Sequence, residues 1–304
     1  LVSGATGVNI FFTLSGFLIT RILLTEKART GGIRIKRFYV RRFLRLSPPF
    51  LLFMLFLSTG MALGLYHVRP GGMLVSFCYL YNFIPAFAKN GQLSHTWSLA
   101  VEEQFYLLWP FLLAASTRRR AVLVPTIAIC SALAAAFLLP SVTFIHNGHM
   151  YRLAKVFSVH RWFLPAAGPI MVGALAGVVE RHGIVASQFV GRWSAMALAA
   201  LLFCAPLWLP GPLLPASFLV QAGGIALLLL WMLDHQGARM VKCLEWGPLA
   251  YVGKISYGIY IYHVLLIGTG PNSALVGSPL LSLPLIAALS IASYEWMERP
   301  ILRL

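Results

Sequence analysis

The sequence is short of charge, and shorter still of acid. Only 11% of its 304 residues are charged and Asp plus Glu number 8 against 24 Lys plus Arg. A soluble globular domain carries about 25% charged residues, so a chain that is 59% hydrophobic with mean hydropathy +0.80 excludes that class and points to an integral membrane protein. Its four cysteines (Cys78, Cys130, Cys204, Cys243) show neither CxxC nor metal-ligand spacing, so no disulfide framework and no zinc site is expected. The chain also lacks a GxSxG elbow, a P-loop and a GxGxxG turn, which removes the common soluble hydrolase and nucleotide-binding readings. A net charge of +16 would suit a nucleic-acid partner, but basic cytoplasmic loops of a polytopic protein are the simpler source, and no nucleic acid is expected. There is no initiator Met and no readable signal peptide. The N-terminus is expected to be incomplete.

What is present is a succession of apolar runs along the whole length, implying an all-α polytopic bundle over residues 1–304 as a single transmembrane domain. The first span runs from Val8 to Leu24, with Ser15 and Gly16 as small residues where another helix can approach. A basic segment from Glu26 to Arg45, closed by Ser47-Pro48-Pro49, precedes a second span from Phe50 to about Leu65 that holds Gly60 and Gly64 in GxxxG spacing. Residues 73–87 read as interfacial or re-entrant. Further spans are expected at 97–115, 121–139, 163–179, 194–209, 214–233, 249–269 and 281–298. With 73–87 not crossing, one side collects most of the basic residues, leaving Arg69, Lys89, Arg152, Lys155 and Arg161 on the other and Lys254 in a span. The positive-inside rule then favours nine crossings with the basic loops cytoplasmic.

The chemistry concentrates in TWSLAVEEQFYLLWP, residues 96–110, where Glu102 and Glu103 lie inside an apolar helical run. A charge at bilayer depth costs roughly 2.5–3.5 kcal/mol on insertion scales, so such groups face a protein interior or a wet cavity and mark sites. Helical geometry puts Ser98, Glu102, Phe105 and Trp109 on one face, with Glu103 beside Leu99, Tyr106 and Pro110 on the next. The carboxylates can act as or orient a general base, a desolvated carboxylate having its pKa raised; equally, they can serve an interior ion pair with Lys254 or Arg161. His95 and Trp97 sit at the outer mouth of this helix, Trp97 as an interfacial belt residue.

Three other groupings stand out, the first two with two readings each. Arg42 and Arg45 share a helical face and suit the phosphates of a ligand, since a guanidinium fork matches phosphate geometry; ordinary anchoring to anionic lipid explains them as well. Ser256, Tyr260 and His263 fall at i, i+4 and i+7, a polar stripe fitted either to interhelical hydrogen bonding or to proton transfer by His263. Glu298 beside Arg299 reads as an ion pair at a helix end. His67, His146, His149 and His160 have no metal-like spacing, and no metal is expected.

Five stretches, GVNIFFTLSGFLIT (7–20), FYVRRFLRLSPP (38–49), HTWSLAVEEQFYLLWP (95–110), ISYGIYIYH (255–263) and YEWMERP (294–300), resemble in order the motifs of the membrane-bound acyltransferase family 3. These are bacterial O-acyltransferases acting on polysaccharides, lipopolysaccharide, peptidoglycan or small glycosides. The resemblance implies a multi-pass protein of the bacterial inner membrane that moves an acyl group, most simply acetyl, from cytoplasmic acyl-CoA to a hydroxyl of a carbohydrate, glycoside or glycolipid. It implies that Arg42 and Arg45 hold the donor's phosphates and that Glu102 or Glu103 lines the reaction chamber, with Ser15, Gly16, Tyr260 and His263 architectural. It also implies a further helix ahead of residue 7 bearing the catalytic base histidine, which none of the eight histidines matches. A proton-coupled carrier or flippase, and a catalytically inactive fragment, are the rival readings.

Overall fold

A computed structural model describes residues 4–146, 149–183, 193–209, 213–267 and 279–302. The main helices are α1 (Gly4–Thr30), α2 (Ile35–Ala62), α3 (Pro70–Phe77), α4 (Thr96–Ala114), α5 (Arg118–Leu138), α6 (Gly168–Arg181), α7 (Trp193–Phe203), α8 (Leu214–Asp234), α9 (Gly247–Leu266) and α10 (Pro279–Ser293). A short antiparallel hairpin of β1 (Thr143–His146) and β2 (His149–Arg152) interrupts an otherwise helical chain, with Thr143 opposite Arg152.

Beside an apolar core, the helices expose large hydrophobic side chains and bury polar ones. Leu107, Leu108, Phe111 and Leu112 of α4 are exposed, while Asn9, Thr13, Ser15, Thr20, Ser98, Glu102 and Gln221 are buried. That pattern fits helices solvated by hydrocarbon, with polar groups satisfied inside. Among the described residues five helices, Gly4–Thr30, Ile35–Ala62, Arg118–Ser141, Leu214–Asp234 and Leu280–Ile301, are long and apolar enough to cross a membrane. The protein is an all-α membrane helical bundle. The other expected crossings are helical but fall short of that length or hydropathy. Those at 163–179 and 194–209 are each broken in two, at Ala167 and Cys204. Residues 268 and 269 of the 249–269 span, and most of the 180–193 loop, lie outside the described residues.

The chain divides into two compact units. The first holds Leu1–Ile33, Asn82–Phe87 and Ser98–Val241; the second holds Arg34–Tyr81, Ala88–Trp97 and Lys242–Leu304. In the first, α1 packs on α6, α5 and α8 also pack on α6, and α7 packs on α8. The closeness of α1 and α6 is set by glycine: a Cβ on Gly16 would collide with the Ile170 carbonyl, and one on Gly173 with the Thr13 carbonyl. The small residues expected to admit a neighbouring helix therefore do so, as small residues do at membrane helix interfaces.

In the second unit α9 packs on α10 and on α2. Two expectations are corrected here. The basic segment and the span expected from Phe50 are not separate pieces; α2 runs unbroken from Ile35 to Ala62 across Pro48 and Pro49. Each proline removes one N–H from the ladder without ending the helix, and two tyrosines of α9 dock on backbone carbonyls of this stretch. The Tyr257 hydroxyl donates to the Leu46 carbonyl (3.0 Å) and the Tyr262 hydroxyl to the Pro49 carbonyl (3.3 Å). The Gly60/Gly64 spacing is not a helix-packing face. Gly64, at φ +72°, lies past the end of α2 in the left-handed conformation that closes a helix. Gly64 N–H bonds to the Met61 carbonyl and Leu65 N–H to the Gly60 carbonyl, a Schellman cap, while the Tyr66 ring covers Gly60. Residues 73–87, read as interfacial or re-entrant, form no helix of crossing length: α3 has only 8 residues, about 12 Å at 1.5 Å per residue, and short 3-10 turns follow it.

Candidate active site

In the first unit, α1 and α4 meet through polar groups in an otherwise apolar packing. The carboxylate of Glu102, 3% exposed, accepts a hydrogen bond from the Ser15 hydroxyl at 2.7 Å and another from the Tyr106 hydroxyl, both at Oε1. Ser15 and Tyr106 oxygens are themselves 2.5 Å apart. Helical spacing explains half of this triangle, because Tyr106 is four residues on from Glu102 and the two side chains stack along one stripe. Tyr106 thus bonds to Glu102, although the face assignment grouped it with Glu103. The other half is long-range, Ser15 of α1 reaching a carboxylate 87 residues away in the chain. Ser98, one turn before Glu102, is fully buried; Glu103 is only half-buried. Lys254, one of the counter-charges considered for these glutamates, is exposed.

Two further contacts hold the same pair of helices in register. Trp109 Nε1–H donates to Thr20 Oγ1 at 2.8 Å. The Lys27 ammonium donates to the carbonyls of Leu113 (3.0 Å), Ala114 (3.0 Å) and Ser116 (2.8 Å), using all three of its protons to cap the end of α4. Sequence reasoning placed Lys27 merely in a basic loop; its three-carbonyl role has no local signal, because the partners lie far along the chain.

The second unit holds the remaining expected residues. Tyr260 and His263 are together: His263 Nδ1 lies 2.6 Å from the Tyr260 carbonyl. They are joined by His95, which the sequence had left at a helix mouth. The Tyr260 hydroxyl donates to the His95 carbonyl at 3.0 Å, and the His95 ring lies 5.4 Å from that of His263 and 5.3 Å from that of Phe53. Burial, with a smaller contribution from His263, lowers the His95 pKa to about 3, so its imidazole is neutral at physiological pH. Ser256 does not belong to this cluster. It is exposed, and its hydroxyl turns back to the Gly253 carbonyl of its own helix at 2.9 Å. A serine on an exposed helix face finds its acceptor in the preceding turn.

Arg42 is half-buried and Arg45 exposed, on one face of α2. Arg45 also acts electrostatically on Glu298. Glu298 is not the partner of Arg299: it is buried and accepts from the Ser293 hydroxyl at 3.2 Å, whereas Arg299 pairs with Glu295. The reason is a π-helical turn over Tyr294–Glu298, which rotates Glu298 inward while Glu295 and Arg299 stay one turn apart outside. The expected sites thus fall in both units, Glu102, Glu103 and Ser98 in the first and Arg42, Arg45, Ser256, Tyr260 and His263 in the second. Among the described residues, no group of three or more His, Cys, Asp or Glu could hold a metal ion.

A family model described as an acyltransferase domain matches residues 1–293. The chain is 26% identical over 326 residues to the peptidoglycan O-acetyltransferase OatA of Listeria monocytogenes, with 98% of this chain and 51% of that protein covered. It is 27% identical over 342 residues to YrhL of Bacillus subtilis, provisionally named a peptidoglycan O-acetyltransferase, with 98% and 50% covered. The chain spans about half the length of the curated relatives it matches. No solved structure matches it significantly. The motifs that carry the resemblance and the match over residues 1–293 agree, and the chain belongs to the acyltransferase family that this domain defines.

Proposed function

We propose that the protein is a multi-pass O-acetyltransferase of the bacterial inner membrane, moving acetyl from cytoplasmic acetyl-CoA to a hydroxyl of cell-envelope carbohydrate. The names of the relatives favour peptidoglycan as that carbohydrate. The observation that carries the reading is the buried carboxylate of Glu102, held at Oε1 by Ser15 and Tyr106 within the family-matched stretch. A carboxylate so oriented is suited to proton handling: it takes the acceptor's hydroxyl proton or aligns the base that does. The acceptor oxygen attacks the thioester carbonyl, the C–S bond breaks, and coenzyme A leaves as a thiol with the proton. Arg42 and Arg45, one turn apart on the basic stretch of α2, hold the donor's phosphates by paired charge-assisted hydrogen bonds. Glu103, on the neighbouring face, is the alternative carboxylate for this role. Tyr260 and His263 support the fold of the second unit.

The test is transfer of radiolabelled acetyl from acetyl-CoA to envelope saccharide by membranes containing the protein. Glu102→Gln should lower kcat by a factor of about 10²–10⁴, the range for acid–base groups. Arg42→Ala with Arg45→Ala should instead raise KM for acetyl-CoA. Wild-type rates in both variants would refute the assignment.

A further inference from the structure

α5 opens with Arg118, Arg119 and Arg120, all exposed. Beside them the first unit forms an open groove of about 440 Å³ lined by Arg118, Arg119, Val122 and Leu123. One guanidinium is anchored, Arg118 Nη2 donating to the His182 carbonyl at 2.9 Å. The Arg119 and Arg120 side chains make no hydrogen bond or ion pair among the described residues. The nearby carboxylate of Glu180 is engaged by Arg21 at 3.4 Å. Positive potential therefore accumulates here: besides its burial, His182 has its pKa lowered by Arg118, Arg181 and Lys27.

The setting of the groove limits its occupant. Arg118–Ser141 is long and apolar enough to cross a membrane, yet only 17% of its apolar window is buried, and Leu123 and Ile127 below the groove are exposed. A crossing helix with so little protein cover faces lipid, and its arginine-bearing end lies at headgroup level. There Arg118 and Arg119 put positive charge beside a groove whose surface is almost wholly apolar, with Val122 and Leu123 offering aliphatic surface. A soluble anion matches only the first feature; an anionic phospholipid matches both.

We propose that this groove binds the headgroup phosphate of an anionic membrane phospholipid, with Arg118 and Arg119 on the phosphate and the lipid's glycerol and upper acyl chain against Val122 and Leu123. The proposal uses neither Glu102 nor Arg42 nor Arg45 and does not rest on their proposed roles.

The test is native mass spectrometry of the detergent-purified protein titrated with phosphatidylglycerol, phosphatidylcholine or inorganic phosphate. The wild type should retain phosphatidylglycerol over phosphatidylcholine, and millimolar inorganic phosphate should not displace it. Arg118→Gln with Arg119→Gln should weaken phosphatidylglycerol about thirtyfold, at about a factor of five per basic residue, and leave phosphatidylcholine unchanged. Arg29→Gln with Arg34→Gln, a pair exposed elsewhere, should have little effect. Leu123→Trp keeps both arginines and fills the groove, and should also lose the lipid; because residue 123 is exposed, this variant stays readable if the double arginine variant fails to fold. Equal retention by the Arg118/Arg119 variant, an equal loss in the control pair, unchanged binding by Leu123→Trp, or displacement by inorganic phosphate would each overturn the proposal.

Discussion

Glycine-to-alanine substitution at four helical positions should separate contact from propensity. In a helix interior alanine is favoured over glycine by about 0.5–1 kcal/mol, so Gly223→Ala in α8, whose Cβ would meet nothing within 4 Å, should be neutral or stabilising by that amount. Its neighbour Gly224 should behave oppositely, since a Cβ there would lie 2.6 Å from the Ala199 carbonyl oxygen and 2.7 Å from Phe203 N. At Gly16 a Cβ would lie 2.9 Å from the Ile170 carbonyl carbon and 3.0 Å from Ala174 N, with the carbonyl oxygen nearer still; at Gly173 the corresponding distances are 2.8 Å to Thr13 C and 3.0 Å to Phe17 N. Carbon contacts settle near 3.5–4.0 Å, and these obstacles are backbone, which no rotamer change relieves. Each substitution should therefore force α1 from α6 and cost about 1–3 kcal/mol or more, the range for overpacking. Because Ser15 adjoins Gly16, Gly16→Ala should also withdraw the Ser15 hydroxyl from Glu102 and lower activity in the protein that still folds. Thermal unfolding in detergent, with acetyl transfer measured in parallel, reads both effects. An unchanged midpoint in Gly16→Ala and Gly173→Ala, or a fall in Gly223→Ala matching theirs, would refute the reasoning.

Lys27→Met should destabilise by about 1–2 kcal/mol, the upper part of the range for a cation at a helix C-terminus, as seen by thermal shift, since it leaves three carbonyls at the end of α4 without their donor. Ser256→Ala should leave both stability and turnover unchanged, because its hydroxyl serves only its own helix. The His95 pKa, about 3 when folded, lies below the ordinary 6.5. The unfolded chain thus binds the extra proton first, and stability present above pH 6.5 should drain away as the pH falls toward 3. His95→Phe should flatten that part of the pH profile in chemical unfolding, and a slope identical to wild type would count against the buried neutral imidazole.

Much of this was legible in the sequence where a single helix carried the information. The span expected at 97–115 is α4, Thr96–Ala114, and Ser98, Glu102 and Trp109 share its buried face as helical spacing requires. The closeness promised by Gly16 was realised because a missing side chain signals approach whatever the partner. What the sequence hid depended on partners distant along the chain or on departures from ideal periodicity. Pro48 and Pro49 suggest a break by propensity alone, and the docking of Tyr257 and Tyr262 from α9 onto the Leu46 and Pro49 carbonyls has no local signal. Gly60 and Gly64 fit a packing motif by spacing, but the helix ended between them. One π-helical turn moved Glu298 inside and gave Arg299 to Glu295. His95 joined Tyr260 and His263 through contacts spanning more than half the chain, which no local pattern announces.

The most direct test of the proposed function is acetyl transfer from acetyl-CoA by membranes containing wild type, Glu102→Gln, and Ser15→Ala with Tyr106→Phe, each normalised to folded protein by thermal unfolding. If the carboxylate handles the proton and the two hydroxyls hold it, Glu102→Gln should fall by about 10²-fold or more and the hydroxyl variant by a smaller factor with KM for acetyl-CoA unchanged. Near-wild-type transfer by a folded Glu102→Gln protein would contradict the account.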